Sequence, residues 1–463
     1  MNLLPAPVAA VLYLAAAALF ILALKGLSAP RTARRGNLLG ALGALVAVVT
    51  VLLSTDFHGA NLWVVLGAIA VGSAVAVPAA RRVQMTQMPQ LVAIFNGVGG
   101  GAAALVGVIE LAEWSGADAG LVATTATAFA ILIGSVSLSG SLLTFAKLQG
   151  MVTSRPVVVS GAGPIMVVTM ALGLAGAVAV AATGEVLLGV ALMLLGIILG
   201  LLLVLPVGGA DVPIVISLLN AFTGLSVAAS GWAMGNTLLL VAGTLVGAAG
   251  SMLTLAMARG MGRSVAGVLF GSLGGGSTAG STEASERSVR RVQAEDVAIT
   301  LAYADRVVVV PGYGLAVAQA QHTVAELVTA LRERGVEAVY GIHPVAGRMP
   351  GHMNVLLAEA NVPYELLVEA DDVNATMPST DVVVVVGAND VVNPAARTDP
   401  SAPIYGMPII NADQAAQTVF LKRSMRPGFA GIENELLFAA RTQVLFGDAK
   451  ASLTDVVTAL KQV

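Results

Sequence analysis

Arg306-Val-Val-Val-Val-Pro-Gly-Tyr-Gly-Leu-Ala-Val-Ala-Gln319 is the stretch that decides the fold of the chain's second half. Its four consecutive valines, 307–310, predict a strand buried on both faces. Gly312 and Gly314 then predict a tight turn, and 315–334 carries an apolar pattern of helical period. Strand, glycine turn and helix in that order let backbone N–H groups approach a pyrophosphate, with the positive end of the helix dipole toward the anion. The third position of Gly-x-Gly-x-x-Gly is Val317, so the fingerprint is weak alone and needs support from the rest of the chain.

Composition bounds that support. The 463 residues are 57% hydrophobic and 11% charged, with a mean hydropathy of +0.86, which excludes an ordinary soluble protein and requires a membrane part. Up to Arg263 the chain holds 10 basic and 6 acidic residues; the remainder holds 14 and 21, so two regions meet different solvents. Cysteine is absent, which excludes disulfides, a thiolate nucleophile and Cys-based metal sites. A net charge of −3 argues against nucleic acid as a partner. The first apolar segment lacks a basic n-region and reads as a retained helix.

A spanning helix needs about 20 apolar residues to cross roughly 30 Å of hydrocarbon. Nine stretches qualify, near 3–24, 37–53, 62–80, 91–109, 121–143, 165–182, 185–204, 213–229 and 236–258. Lys25, Arg31, Arg34 and Arg35 follow the first, Arg81 and Arg82 the third, Lys147 and Arg155 the fifth, and Arg259 and Arg263 the ninth. Asp56, Glu110, Glu113, Asp118 and Glu185 fall in the alternate connections. Basic residues mark the cytoplasmic side, so the N-terminus is expected outside and the second half in the cytoplasm.

Small residues four apart, Gly173/Ala177, Gly196/Gly200 and Gly243/Gly247, predict close helix packing. Polar residues at membrane depth are fewer. Asn96 precedes Gly-Val-Gly-Gly-Gly in the fourth span, Asn220 lies in the eighth, and Asp211 stands at the mouth of that helix. The asparagines either bond neighbouring helices or belong to a polar path for protons; Asp211 either caps its helix or joins that path. His58, in an expected outer loop, is the one histidine of this half, so a mid-membrane titratable relay is missing and another chain is expected to supply it.

Residues 271–285 form a Gly/Ser/Thr-rich linker, and the division expected is 1–263 membrane domain, 264–290 linker and 291–463 nucleotide domain. Beyond the linker, 294–304 predicts an amphipathic helix. Strands follow at 336–341, 364–368, 381–387, 407–411 and 418–422, with helices at 351–360 and near 449–462. The fold class is therefore a polytopic α-helical membrane domain joined to an α/β Rossmann-like domain, its doubly wound, mostly parallel sheet having about six strands. Ligand is expected across the carboxyl ends of the strands, at Gly312-Tyr313-Gly314, at 343–348, at Gly387-Ala388-Asn389-Asp390 and at Lys422-Arg423-Ser424.

An NAD site usually places an acid about 20 residues past the glycines, whereas the second strand here runs out at Gly341-Ile342-His343. Lys422-Arg423-Ser424 offers two cations and a hydroxyl to a phosphate monoester, or is a solvated basic pair. The first alternative points to NADP(H), lying reversed relative to the usual orientation. His322, His343 and His352 share no metal-like spacing, and no metal is expected. Gly-Tyr-Gly also echoes a potassium-channel filter, but without flanking pore helices.

The strings Pro-Gly-Tyr-Gly-Leu-Ala-Val-Ala-Gln-Ala-Gln, Gly-Ile-His-Pro-Val-Ala-Gly-Arg-Met-Pro-Gly-His-Met-Asn-Val-Leu-Leu-Ala-Glu-Ala, Val-Gly-Ala-Asn-Asp-Val-Val-Asn-Pro-Ala-Ala, Lys-Arg-Ser-Met and Gly-Asp-Ala-Lys closely resemble the beta subunit of the proton-translocating NAD(P) transhydrogenase. Gln-Met-Pro-Gln-Leu-Val-Ala-Ile and Ala-Asp-Val-Pro-Ile-Val-Ile-Ser-Leu-Leu-Asn extend the resemblance through the membrane half. It implies a Si-specific/Re-side enzyme of the inner (cytoplasmic) membrane in which NADH reduces NADP+ while protons flow inward. NAD(H) would sit on a partner alpha subunit that adds transmembrane helices, in a dimer of the complex surrounded by membrane lipid. The resemblance also implies NADP(H) contacts from Gly312, Tyr313, Gly314, Leu315, Ala316 and Val317; from Val345, Ala346, Gly347, Arg348, Met349 and Gly351; and from Gly387, Ala388, Asn389 and Asp390. Lys422, Arg423, Ser424, Gly447, Asp448, Ala449 and Lys450 complete that set. Asn96, Asp211, Asn220, Arg263 and Asp390 match positions tied to proton coupling.

One departure stands out. Well-known members carry His where this chain has Asn96, which does not titrate near neutral pH. The expectation is a partner histidine near Asn96. Hydride would then pass directly between two nicotinamides held in proximity, with no catalytic side chain at that step. The alternative from another class is a channel or transporter with a nucleotide-sensing domain; a quinone-linked dehydrogenase is disfavoured, since no flavin, haem or iron–sulfur ligand set is visible.

Overall fold

The structure, a computed structural model, describes residues 4–55, 57, 60–114, 120–153, 157, 161–208, 211–261, 264–270, 287–347, 351–400, 402, 404–428 and 430–463. Asp56, His58, Asp118, Arg155, Arg263, Arg348, Met349 and the linker 271–285 lie outside the described residues. The chain divides into two compact units, Met1–Val207 with Val215–Thr254, and Gly208–Ile214 with Leu255–Val463.

The first unit is built on α1 (Ala6–Leu27), α2 (Pro30–Ser54), α3 (Asn61–Arg82), α4 (Met88–Glu113), α5 (Leu121–Leu148), α6 (Ala162–Thr183), α7 (Val186–Val204), α8 (Val212–Ala233) and α9 (Thr237–Gly260). Among the described residues these nine helices are long and apolar enough to cross a membrane, at the places that hydropathy predicts. Helix is the required answer there, because hydrocarbon offers no partner to a free backbone N–H. Two of the three small-residue pairs pack helices closely, whereas Gly173 meets only the Leu132 side chain, 3.4 Å from where its Cβ would stand. A Cβ on Gly196 of α7 would stand 2.7 Å from Ser135 of α5, and one on Gly243 of α9 would stand 2.6 Å from the Gly224 carbonyl of α8.

Two charged residues expected in the connections are instead buried inside the helical unit. Lys147 is not in a cytoplasmic connection but in the last turn of α5, 2% exposed. Its ammonium donates to the carbonyls of Val204 at 3.0 Å, Leu205 at 2.6 Å and Val207 at 2.9 Å, closing the carboxyl end of α7. All three of its donors are thereby used, against the negative end of a helix dipole. Glu110 is likewise not in an outer connection: it lies within α4, 7% exposed, and accepts a hydrogen bond from Thr127 of α5 at 3.1 Å.

The second unit carries α10 (Val265–Phe270), α11 (Ala294–Ala302), β1 (Arg306–Pro311), α12 (Tyr313–Val317), α13 (Gln321–Glu333), β2 (Glu337–Ile342), α14 (His352–Glu359), β3 (Leu367–Glu369), α15 (Ala370–Thr376), β4 (Val382–Val386), α16 (Ala395–Thr398), β5 (Gln417–Lys422), β6 (Thr442–Phe446) and α17 (Ala449–Leu460). The six strands form one parallel sheet in the order β3-β2-β1-β4-β5-β6. Val307–Val310 and the valines of β4 are almost wholly buried, as strands covered on both faces must be. Val309 pairs with Tyr340 on one side and Val384 on the other. On α13, Val324, Leu327, Val328 and Leu331 form the buried stripe.

Four element readings change; at 364–368 the chain first makes a 3-10 turn, Tyr364–Leu366, and only then enters the short strand β3. The helical pattern at 315–334 is two helices, because the chain turns at Gln319, whose φ is +50°. The stretch 407–411 is not a strand: Asn374 binds the Ile409 carbonyl (2.8 Å) and the Asn411 N–H (2.7 Å), and Ile410 N–H reaches the Val391 carbonyl at 2.9 Å. With its backbone groups so used, this buried apolar run has no ladder to join. The sixth strand is Thr442–Phe446, which the sequence reading passed over because polar Thr442 and Gln443 interrupt its apolar signal.

Candidate functional site

The order of strands reverses between β1 and β4, and their carboxyl ends open a crevice where α/β sheets bind ligands. The Gly312 N–H bonds the Val386 carbonyl and the Gly314 N–H bonds the Gly387 carbonyl, both at 2.9 Å. The two loops touch backbone to backbone. Gly387 has a φ of +69°, and a Cβ there would overlap the Leu315 nitrogen. A Cβ on Gly314 would lie 2.7 Å from the Gly387 Cα, so both positions need glycine.

Asn389 and Asp390 follow at once. The Asn389 Nδ2 donates to Asp390 Oδ1 at 3.0 Å, and Asp390 Oδ2 accepts from the Ala430 N–H at 2.9 Å. Lys422, at the end of β5, donates to Asn389 Oδ1 at 2.9 Å. Burial pushes the Lys422 ammonium below its ordinary range, and the Asp390 carboxylate works against that. The Gly447 N–H reaches the Lys422 carbonyl at 3.1 Å, and Asp448 caps α17 through the N–H groups of Lys450 (3.0 Å) and Ala451 (3.2 Å). Arg423 and Ser424 are exposed beside this cluster.

The loop after β2 joins from the other side. His343 is 2% exposed, with Nε2 donating to the Pro408 carbonyl at 2.7 Å and Nδ1 accepting from the Val345 N–H at 3.3 Å. Those roles require a neutral ring, and burial lowers its pKa from the ordinary 6.5. Gly347, at a φ of +119°, lies against the His352 ring, which in turn meets Tyr313 with ring centroids 6.1 Å apart.

The expected residues thus divide. Gly312, Tyr313, Gly314, Gly387, Ala388, Asn389, Asp390, Lys422 and Gly447 come together at the crevice, with Arg423, Ser424, Asp448, Ala449 and Lys450 along the adjacent loops. Leu315 and Ala316 are buried in the core, so only their backbone is available to a ligand; Val317 is exposed. Ala346 is buried and Val345 packs on the Ala395/Ile404 cluster, while Gly351 begins α14 at a φ of +69°. Sequence reasoning missed Asn434, 1% exposed, whose Nδ2 holds the Asn389 carbonyl at 2.9 Å, and Ala430, whose N–H holds Asp390. Neither carries a motif; only their contacts reveal them.

In the membrane unit, Asn96 is 7% exposed and donates to Ser137 Oγ (3.2 Å) and Ser141 Oγ (2.9 Å) of α5. Ser137 meets Thr223 of α8 at 2.6 Å and donates to the Leu219 carbonyl at 2.8 Å. Asn220 is half-buried on α8, and Asp211 is a buried residue immediately before that helix.

A family model described as NAD(P) transhydrogenase beta subunit matches residues 9–459. Two relatives, both named NAD(P) transhydrogenase subunit beta and both from Rhodospirillum rubrum, one from a named strain, are each 47% identical over 456 residues, 97% of this chain and 98% of the relative.

Proposed function

The chain belongs to the NAD(P) transhydrogenase beta subunit family, and from that premise we propose that it binds NADP(H) at the carboxyl edge of its sheet and exchanges hydride with NAD(H) held by an alpha subunit. The exchange is coupled to inward proton movement through the helical unit. The near-full-length match carries this reading, and the crevice chemistry supports it. Two cations and a hydroxyl, Lys422, Arg423 and Ser424, suit the 2′-phosphate that separates NADP(H) from NAD(H). Glycines packed backbone to backbone at 312, 314 and 387 bring the two loops together at the carboxyl edge, where the backbone can approach a pyrophosphate.

NADP(H), when bound, supplies the nicotinamide that gives or takes the hydride. The chain's own task is to bind and orient. Lys422 and Arg423 neutralise phosphate, and Asn389 and Asp390, tied to Lys422 and to the Ala430 N–H, report the state of the site to the loops around it. His343 and Asn434 act as positioning residues. Proton binding at one unit and nucleotide affinity at the other must then influence each other equally. The division of labour is 1–263 for proton movement, 264–290 as connector and 291–463 for NADP(H). The N-terminus lies outside and the nucleotide domain in the cytoplasm, in the inner membrane of the cell, within a dimer of the alpha–beta complex. A histidine of a partner helix faces Asn96.

The test uses the chain assembled with its alpha subunit in sealed vesicles. NADH should reduce NADP+ with an accompanying change of internal pH, and dissipating the proton gradient should alter the rate. Hydride exchange without any pH change would leave the redox reading standing and remove the coupling.

A further inference from the structure

Glu110 is a buried carboxyl of the helical unit, remote in sequence from every nucleotide-site residue. Its Oε2 accepts from Thr127, and its Oε1 has no partner among the described residues. The charged group acting on it is Glu113 of its own helix. From α5 it meets Thr127, while its neighbour Leu111 packs with Ile131, with Val180 of α6 and with Leu192 of α7; α6, α7 and α8 carry no titratable side chain, and Glu185 stands just before α7. An ionisable group held in a membrane bundle without a cation is expensive, and such groups mark proton or ion pathways.

Polar atoms lead inward from it. On α8, Thr223, Ser226 and Ser230 share one face. Ser226 is fully buried and donates to the Ala130 carbonyl of α5 at 2.8 Å. A Cβ on Gly134 would lie 2.8 Å from that hydroxyl and 3.1 Å from the Ala104 nitrogen, so α4, α5 and α8 converge at this level. One turn further out, Ser230 is 3% exposed and its Oγ is unpartnered among the described residues; one turn further in stands the Thr223–Ser137–Asn96 cluster, where Asn96 Oδ1 is also unpartnered. Buried polar atoms without a protein partner are normally satisfied by water. From Ala104 to Glu110 the helix rises about 9 Å, which about three hydrogen-bonded waters cover.

We propose that Glu110 is the protonatable group at the outer end of the proton path. Its carboxylate takes a proton on Oε1 from outer water, becoming a neutral acid. The proton then leaves along waters held by Ser230 and Ser226 toward the Thr223–Ser137–Asn96 cluster, and the carboxylate is regenerated. The inference rests on the inward proton movement and orientation proposed above.

The closing experiment uses the complete alpha–beta complex in sealed vesicles, comparing wild type, Glu110→Gln and Glu110→Asp. Gln keeps the volume and an oxygen for Thr127 but cannot titrate. The expected result is an intact complex that binds NADPH normally while its proton-coupled turnover falls about tenfold or more and loses its dependence on external pH. Glu110→Asp should retain coupling with an external pH profile shifted along the axis. Wild-type turnover and pH profile in Glu110→Gln would overturn the assignment, as would an unmoved profile in Glu110→Asp, which also decides the matter should the Gln variant not assemble. A wild-type complex that moves no protons would instead bring down the functional reading and this inference with it.

Discussion

Arg423 and Lys422 differ in a way that sets their tests apart. Lys422 is held by Asn389 within the site, whereas Arg423 is exposed and can present its planar fork to a phosphate. Arg423→Ala should weaken NADPH binding about 10- to 100-fold, the range of a lost charge-assisted contact. Binding of the analogue lacking the 2′-phosphate should change little, and calorimetric titration of both ligands reads the difference. Equal losses would place the phosphate elsewhere. His343 makes a second prediction. Its ring is neutral when folded and its pKa is lowered by burial, so below about 6.5 the unfolded chain binds a proton that the folded chain refuses. The stabilisation it contributes is therefore complete above that pH and lost as the pH falls toward the folded value. Amide exchange at β2 and at 407–411 should accelerate on acidification, and His343→Asn should flatten that response.

Helix and strand ends carry the contacts that matter at the next scale. The carboxyl end of α7 is closed by Lys147, through three carbonyls. Lys147→Met keeps the apolar stem and abandons those acceptors, at an expected cost of about 2–3 kcal/mol. Thermal unfolding in detergent measures it, and Lys147→Arg, whose planar fork does not match three carbonyls set around an ammonium, should recover only part. At the sheet, Gly387→Ala combines a positive φ with overlap on the backbone of Leu315, and should cost about 2 kcal/mol or more while loosening the nucleotide crevice. A Gly387→Ala protein of unchanged stability and NADPH affinity would mean that the two loops can separate freely.

For the molecule as a whole, two solvents govern two units. In the first, hydrocarbon compels helices and leaves small residues to bring them together; in the second, water compels a core of valines between layers of helix. Since the proposed ligand binds the folded state of the second unit, NADPH at a hundred times its Kd should stabilise the protein by about 2.7 kcal/mol, visible as a raised unfolding midpoint. NADH at the same concentration should not reproduce the shift. A common shift with both would remove the selectivity assigned to Lys422-Arg423-Ser424.

What the sequence determined by itself was local: nine apolar runs of membrane length, a valine strand with its glycine turn, and motif strings long enough to mark the family. Each depends on neighbours along the chain, where hydropathy and period speak directly. Tertiary structure alone decided that Lys147 closes α7 rather than facing water, that Glu110 is buried against Thr127, that 407–411 bonds to Asn374 instead of a strand, and that Asn434 holds Asn389. The physical reason is common to all four. A polar or apolar group takes its role from whichever partner satisfies it, and in these cases the partner is 17 to 60 residues away.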